Sequence, residues 1–248
     1  RRVVSDMDGD SAVGPDGYTG KFFTFAWDII AQDLYKAVVS FFCGAELPKQ
    51  VTSTLLALIP KVKNPKDFSQ FHPISLCNFI NKVFSKLLAD RLSPLLPQII
   101  SPNQSGFVRG RLISDNFLLA QEIILGIGKK NRGGNVALKL DMIKAYDRVS
   151  WMFLINVLRA FGFGKRCIDL VWRHISHPWF FVLINRVPCD FFPSSRGICQ
   201  GDPLSPSLFI IGAEVLSRLL NQLLLHPQFN GFKAPRGCPL VSHLGYAD

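Results

Sequence analysis

The sequence predicts a mixed protein of the α+β class, and three observations support that prediction. The chain has 248 residues, of which 48% are hydrophobic and only 19% charged, as in folded globular proteins. Several stretches repeat their apolar residues at helical spacing. Others are short apolar runs, bounded by Gly or Pro, that are typical of strands. Together these features predict helices and strands within one globular fold.

The first 50 residues are predicted to form an extension that contains one amphipathic helix. Residues 1–18 are rich in turn-forming residues and resemble a loose lead-in. Residues 21–42 then carry apolar side chains at helical spacing, and Thr19 or Gly17 can cap that helix. Gly44 and Pro48 lie just beyond the last helical residue and end the helix.

Residues 51–135 are predicted to hold a strand, two helices and two cationic loops. The strand covers residues 51–60 and is followed directly by Lys61, which can bind a phosphate or simply be solvated. Helices are predicted over residues 78–92 and 115–127. Between them lies a polar loop with Arg111, whose guanidinium suits either a bidentate phosphate contact or bracing of the loop. The sequence does not decide between these two roles.

Residues 136–151 combine an apolar run, a carboxylate and an aromatic side chain. The run over residues 136–140 predicts a buried strand that ends at Asp141, and Tyr146 lies in the helical segment that follows. A carboxylate at the end of a strand can hold a hard cation such as Mg²⁺. Asp is also a common turn former at such positions. The meaning of Asp141 therefore depends on what other residues converge on it.

The remaining chain predicts three helices, a hairpin, a glycine-containing loop and a last strand. The helices cover residues 153–161, 165–176 and 207–225, and the hairpin covers residues 180–192. The loop over residues 195–206 includes Gln200 and Gly201, where glycine lets a ligand approach the backbone. The last strand, residues 240–248, ends on Asp248. His174 and His177 are predicted to be structural, because no cysteine cluster or acid completes a zinc site.

Charge and cysteine content narrow the classes of partner and compartment. Residues 51–200 carry 20 basic and 8 acidic side chains, which favours a polyanionic partner such as nucleic acid. The six cysteines show no Cys-x-x-Cys pair, which favours reduced thiols and an intracellular protein without a targeting signal. The apolar segment 204–225 contains Glu214 and Arg218, so it predicts a core helix rather than a membrane span.

Three motifs in fixed order resemble the palm motifs of a reverse transcriptase. They are the predicted strand with Asp141 and Tyr146, the loop that begins Gln200-Gly201, and Tyr246-Ala247-Asp248. The resemblance is strongest to LINE-type non-LTR retrotransposon polymerases, particularly those of plant genomes. Further passages match at residues 14–17, 58–61, 73–78, 101–104, 110–116 and 195–197.

The resemblance implies a right-hand polymerase fold, with fingers over residues 51–135 and palm over residues 136–248. It implies that Asp141 and Asp248 are catalytic and hold two Mg²⁺ ions, which assist transfer from a deoxynucleotide to a primer 3′-hydroxyl. The implied partners are an RNA template, a DNA primer and the deoxynucleotide, with no membrane and an unknown oligomeric state. The implied compartment is the nucleus or the cytoplasm. The substrate-binding residues that the family pattern implies are Tyr146, Gln200, Gly201, Lys61 and Arg111.

Departures from the family pattern lead to a prediction of low activity for the chain as it stands. The family has a second aspartate after Asp248, then a thumb, and the sequence shows neither. His72 and Cys199 stand where the family usually has Arg, and Gly245 stands where it usually has a larger apolar residue. Two alternatives are consistent with the same sequence features: a non-catalytic RNA- or DNA-binding remnant, and an intron-maturase-like protein.

Overall fold

The computed structural model describes residues 1–128, 136–184, 187–229 and 241–246. The chain forms two compact units, each built from two separate stretches of sequence. The first unit comprises residues 1–91 and 146–205, and the second comprises residues 92–145 and 206–248. The division into fingers and palm, with boundaries at residues 50 and 135, stays a prediction.

Eleven helices, one 3₁₀ turn and four strands occur in the described part of the chain. Their order is α1 (Arg2–Ser5), α2 (Gly20–Phe25), α3 (Trp27–Phe42), α4 (Lys49–Thr52), β1 (Ser53–Pro60), the 3₁₀ turn Phe68–Gln70, β2 (Phe71–Cys77), α5 (Phe79–Leu92), α6 (Leu96–Ile99), α7 (Ile113–Ile127), α8 (Ala145–Arg148), α9 (Trp151–Ala160), α10 (Lys165–Ser176), β3 (Trp179–Ile184), β4 (Val187–Pro193) and α11 (Ser205–Leu223). This mixed content confirms the predicted presence of both helices and a sheet.

A four-stranded sheet in the order β2-β1-β3-β4 forms the first unit together with its helices. Strand β1 pairs antiparallel with β2 and parallel with β3, while β3 and β4 form the predicted antiparallel hairpin. The hairpin turn at residues 185–186 lies outside the described residues. Pro73 lacks an N–H donor, and it is tolerated in β2 because that strand lies at the edge of the sheet.

The N-terminal region packs against α5, so the prediction of a loose lead-in is wrong. Gly14 touches the backbone of Asn78 so closely that an added Cβ would come within 2.5 Å of the Asn78 nitrogen. The Asp16 N–H donates to Asn78 Oδ1 at 3.1 Å, and Lys82 Nζ donates to the Ala12 carbonyl at 3.0 Å. These contacts explain physically why a Gly-Pro-Asp-Gly turn occurs at this point.

Two helices replace the single helix that was predicted over residues 21–42. Thr19 caps the first, as predicted, because its side chain accepts from the Phe22 N–H. The chain breaks at Ala26 and continues as α3. Phe23, in the helix before the break, belongs to a buried cluster, where its ring stacks on Phe79 with centroids 4.7 Å apart.

The predicted helices of the middle and C-terminal regions are confirmed. They correspond to α5, α7, α9, α10 and α11, with ends within a few residues of the predicted ones. Trp151 on α9 and Trp172 on α10 meet edge to face, with ring centroids 6.0 Å apart. Arg173 is 7% exposed and donates to the carbonyls of Phe41 and Ala45, which joins α10 to the end of α3.

The strand predicted over residues 136–140 is absent, so that prediction is wrong, whereas the strand predicted over residues 240–248 lies partly outside the described residues. Residues 136–140 have no regular structure, and Val136 and Leu138 are 85% and 83% exposed. Residues 241–246 make only a single bridge, between Gly245 and Gln104. The backbone groups of Gly245 pair with residues 103 and 105, so they are not available to residues 136–140. A strand without a partner gains no ladder hydrogen bonds and is not stable.

None of the helices in the described segments is both long and apolar enough to cross a membrane. This agrees with the sequence prediction for residues 204–225. Glu214 in α11 is 2% exposed and is paired with Arg218 at 3.0 Å. The Glu214 carboxylate is therefore buried, whereas the Arg218 side chain is 56% exposed.

Candidate active site

The seven predicted site residues are divided between the two units. Tyr146, Gln200, Gly201 and Lys61 belong to the first unit. Arg111, Asp141 and Asp248 belong to the second, and Asp248 lies outside the described residues.

In the first unit, the loop before Gln200 is fixed to the segment that contains Tyr146. The Ile198 N–H donates to the Tyr146 carbonyl at 2.9 Å, and the Gly197 N–H donates to the Val149 carbonyl at 2.8 Å. The indole N–H of Trp151 donates to the Gly197 carbonyl at 2.6 Å. These bonds fix the backbone at Tyr146 relative to the loop, so two of the predicted motifs are joined by local structure.

Gly197 is required by this junction. Its φ of +88° is in the left-handed region, and an added Cβ would lie 2.9 Å from the Asp147 carbonyl oxygen. We expect Gly197→Ala to lower the free energy of unfolding by about 1 to 3 kcal/mol, because both the strain and the clash oppose folding. Urea unfolding followed by tryptophan fluorescence measures the change. Gly162→Ala, with a similar φ but open space around it, is the matched control for the clash and should cost less.

Gln200 and Gly201 lie against the outer edge of β2. The Ser75 N–H, on the side of β2 away from β1, donates to the Gln200 carbonyl at 3.2 Å. Gly201 has a φ of +99°, and an added Cβ would lie 3.5 Å from the Ser75 carbonyl oxygen. The Gln200 side chain is half-buried. The glycine thus permits a close turn over the edge of the sheet, which places Gln200 beside β2.

Asp202, which sequence reasoning did not assign to the site, anchors this loop through buried hydrogen bonds. It is 4% exposed, and its Oδ2 lies 3.2 Å from His174 Nε2. Its Oδ1 accepts from the Ser85 hydroxyl and from the N–H of Leu204, the residue before α11. The His174–Asp202 pair fixes the Gln-Gly-Asp loop to α10 and α5. His174 is thus a structural residue, as the sequence predicted.

The ionised forms of this pair are favoured in the folded protein. Burial alone lowers the pKa of His174, but the charge and hydrogen bond of Asp202 outweigh it and raise that pKa. Burial alone raises the pKa of Asp202, but the charge and hydrogen bond of His174 outweigh it and lower that pKa. Both directions favour the ion pair, with His174 protonated and Asp202 ionised, over the neutral pair.

This ion pair predicts a specific dependence of stability on pH. The raised pKa of His174 contributes stability that is complete below about pH 6.5 and is lost as the pH rises through the folded pKa. The lowered pKa of Asp202 contributes stability that is present above about pH 4 and is lost on acidification. We expect the unfolding midpoint of the first unit, measured by tryptophan fluorescence, to be highest between these limits. In His174→Gln the decline above pH 6.5 should disappear; a decline of the same size in the variant contradicts the assignment.

The two departures from the family pattern in this unit have different surroundings. Cys199 is half-buried beside the fully buried Cys77. A hydrogen bond with the Cys77 thiol, together with burial, holds the pKa of Cys199 well above its usual value. An arginine at position 199 has to displace this thiol contact or point elsewhere. His72 is half-buried on β2 and pairs in register with Ile59.

Lys61 follows β1 and is exposed. Its backbone N–H donates to the Gln70 carbonyl at 2.8 Å, at the end of the β1–β2 pair where His72 also lies. The Gln200 contact is at Ser75, opposite Leu56, and Lys61 is five residues further along the chain. At about 3.3 Å per residue the separation along the strand is roughly 16 Å. Lys61 and Gln200 therefore lie at different positions along the length of the β1–β2 pair.

In the second unit, Arg111 braces its own loop. One terminal nitrogen donates to the carbonyls of Ser101 and Gln104 at 2.6 and 2.7 Å. The other donates to the carbonyls of Ile100 and Pro97 at 2.8 and 3.4 Å. Of the two roles that the sequence left open, these contacts are those of a brace. A contact between Arg111 and substrate stays a prediction.

The same loop is anchored to α11 through the buried Glu214. One carboxylate oxygen of Glu214 accepts from the Ser101 N–H at 2.9 Å, and the other accepts from the Ser101 hydroxyl at 2.5 Å. Arg218 completes the contact by donating from Nε to the same carboxylate. The loop is therefore fixed at its beginning by α11 and closed by Arg111.

Residues 241–246, which lead to Asp248, are bound along this loop. The Gly245 N–H donates to the Asn103 carbonyl at 2.8 Å, and the Gly245 carbonyl accepts from the Ser105 N–H at 3.4 Å. Asn116 donates from its side-chain amide to the Gly245 carbonyl at 3.1 Å, and its own carbonyl accepts from the Tyr246 hydroxyl at 2.9 Å. The sequence predicts a match to the family at residues 101–104 and 110–116, but it does not indicate this contact.

The carboxylate of Asp141 is exposed and available for ligation. It has no ion-pair partner among the residues that the structure describes. Its oxygens are the hard donors that Mg²⁺ prefers, so Asp141 fits the role of one ligand. No group of three or more His, Cys, Asp or Glu side chains forms a metal site within the described ranges, which leave out Asp248.

Comparison with known proteins decides the family. The family model described as reverse transcriptase (RNA-dependent DNA polymerase) matches residues 59–248, which is more than half of the chain. The chain belongs to the reverse transcriptase family. This reverse transcriptase domain is of the non-LTR retrotransposon type, as its relatives show.

Two relatives illustrate the similarity and its extent. The transposon TX1 uncharacterized 149 kDa protein of Xenopus laevis is 31% identical over 218 residues, which cover 88% of this chain. The retrovirus-related Pol polyprotein from type-2 retrotransposable element R2DM of Drosophila melanogaster is 30% identical over 213 residues, or 86% of the chain. The matched region spans 17% and 19% of those proteins, so this reverse transcriptase domain corresponds to about a fifth of their length.

Proposed function

We propose that this chain is the fingers and palm part of an RNA-directed DNA polymerase of a plant-type LINE element. It would bind an RNA template, a DNA primer and a deoxynucleotide, and would join that nucleotide to the primer 3′-hydroxyl. The observation that carries the proposal is the family match over residues 59–248, which includes both carboxylate positions, Asp141 and Asp248. The basic middle of the chain supports a nucleic-acid partner.

The proposed chemistry assigns a role to each site residue. Asp141 and Asp248 would hold two Mg²⁺ ions, which supply charge neutralisation at the reacting phosphate. Tyr146 would lie under the sugar and exclude a ribose 2′-hydroxyl by its bulk, and the backbone bond to Ile198 supports a fixed position for it. Gln200 and Gly201 would line the nucleotide and template pocket.

Two cationic residues complete the proposal. Lys61 would contact phosphate, since its side chain is exposed at the end of the β1–β2 pair. Arg111 would shape the loop that it braces and would contact the triphosphate or template from there. The compartment proposed from the family is the nucleus or the cytoplasm.

Primer extension on an RNA template tests the proposal. The chain would be compared with a version that continues after Asp248 with a second aspartate and a thumb taken from a relative. Incorporation that depends on Mg²⁺ in the continued version supports the proposal. No incorporation, even after His72→Arg restores the usual cation, contradicts it. In that case, salt-dependent RNA binding that is unaffected by Asp141→Ala identifies a non-catalytic binding protein instead.

A further inference from the structure

Asn116 connects three separate parts of the second unit. It is 8% exposed on α7, and its side-chain amide donates to the Asn103 carbonyl at 2.8 Å and to the Gly245 carbonyl at 3.1 Å. Its backbone carbonyl accepts from the Tyr246 hydroxyl at 2.9 Å. One residue therefore bonds both the loop and the segment that leads to Asp248.

The side-chain chemistry of Asn suits this bridge. A primary amide has two N–H donors, and here each donor has its own carbonyl acceptor. Asp has no donor when ionised, Ser has a single one, and an apolar side chain has none. The loss of this amide leaves two half-buried carbonyls with one donor fewer each, which costs stability.

Gly245 shows how closely the two segments approach. An added Cβ would lie 3.1 Å from Gln104 Nε2 and 3.5 Å from the Gln104 Cα. Gly245 and Gln104 form a parallel bridge at this point. The glycine that departs from the family pattern therefore stands where the chain contacts the loop.

The loop side of this contact is itself fixed. The Asn103 side-chain amide donates to the His243 carbonyl at 2.9 Å, and its oxygen accepts from Asn221 on α11 at 3.3 Å. His243 lies 2.9 Å from the Ser217 hydroxyl, also on α11. The stretch of residues 243–246 is thus bonded to the loop and α11 at His243, and to Asn116 at Gly245 and Tyr246.

We propose that Asn116 is a positioning residue for the catalytic aspartate at 248, acting through Gly245 and Tyr246. This inference rests on the proposed role of Asp248 as a metal ligand. Asn116 holds the backbone at Gly245 and the ring of Tyr246, which precede that aspartate by three and two residues. It touches neither substrate nor metal in this role.

Amide hydrogen exchange in the chain tests the contact itself. Asn116→Leu removes both donors at similar size, and Asn156→Leu, at an exposed position on α9, is the matched control. We expect exchange at the Gly245 and Ser105 amides to become about tenfold faster in Asn116→Leu and to stay unchanged in the control. Tyr246→Phe, which keeps the amide bridge, should give a smaller increase. Unchanged exchange at Gly245 in Asn116→Leu overturns the inference.

Metal dependence in the continued polymerase tests the positioning role. If Asn116→Leu misplaces Asp248, metal binding is weakened, and the half-saturating Mg²⁺ concentration should rise several-fold. Partial unfolding of the variant would lower the incorporation rate without that rise. An unchanged Mg²⁺ dependence overturns the inference even when the polymerase is active. If the unmutated continued polymerase incorporates nothing, the proposed function and the positioning role both fail, and the exchange experiment still decides whether Asn116 holds residues 245–246.

Discussion

Replacing Asp141 by Asn in the continued polymerase should lower the rate of nucleotide incorporation about a thousandfold. The carboxylate is proposed as the first metal ligand, and metal stabilisation of the transition state is worth several kcal/mol, which converts to a factor of this size. Asn keeps the volume of Asp but loses the charge. Because Asp141 is exposed and has no ion-pair partner among the described residues, the change should leave the unfolding midpoint unaltered.

Asp147→Asn provides the control for that experiment. Asp147 lies six residues further on, in α8, and its side chain is exposed. The same chemical change at this position should alter the incorporation rate by less than about threefold. Single-turnover primer extension at saturating Mg²⁺ compares the two variants. Equal rates for Asp141→Asn and the unmutated enzyme would show that Asp141 is not a metal ligand.

Replacing Asp202 by Ala should lower the free energy of unfolding by about 3 to 5 kcal/mol. The change removes one partner of a buried ion pair and leaves His174, 6% exposed, without its counter-charge. It also removes the acceptor for the Leu204 N–H and the Ser85 hydroxyl. Urea unfolding near pH 6, followed by the fluorescence of Trp151 and Trp172 in the same unit, measures the loss.

Asp90→Ala is the matched control for Asp202. Asp90 pairs with Lys86 at 2.7 Å on the surface of α5, with 44% of its side chain exposed. An exposed pair of this kind contributes at most about 1 kcal/mol, so the control should stay close to the unmutated protein. If the two variants lose the same stability, the His174–Asp202 pair is not the contact that holds the loop to α10.

The helices show how far local patterns predict this fold. The helices α5, α9, α10 and α11 follow from apolar spacing and from Pro, Ser or Gly at their ends, because a helix makes its backbone bonds within one segment. The break at Ala26 was missed because the apolar spacing continues across it. Packing of Phe23 against Phe79, 56 residues away in the sequence, favours the break.

The strands show where such prediction stops. The apolar run before Asp141 fits a buried strand, yet a strand needs a partner, and the partner is chosen by the whole unit. Residues 241–246 pair instead with the loop at residues 103–105, through Gly245. The amide of Asn116 donates to the Gly245 carbonyl at this point, and no local pattern indicates that contact.

The sequence by itself determined the family, the order of the motifs and the residue types that the chemistry needs. It did so because carboxylates, glycines and aromatic side chains at fixed spacing are required whatever the surrounding structure. The tertiary structure alone decided that Asp202 and His174 form the buried support of the Gln200 loop and that Arg111 braces its own loop. It also showed that Asn116 holds Tyr246. These contacts join residues that are distant in sequence, and their energies depend on burial and on the geometry of both partners.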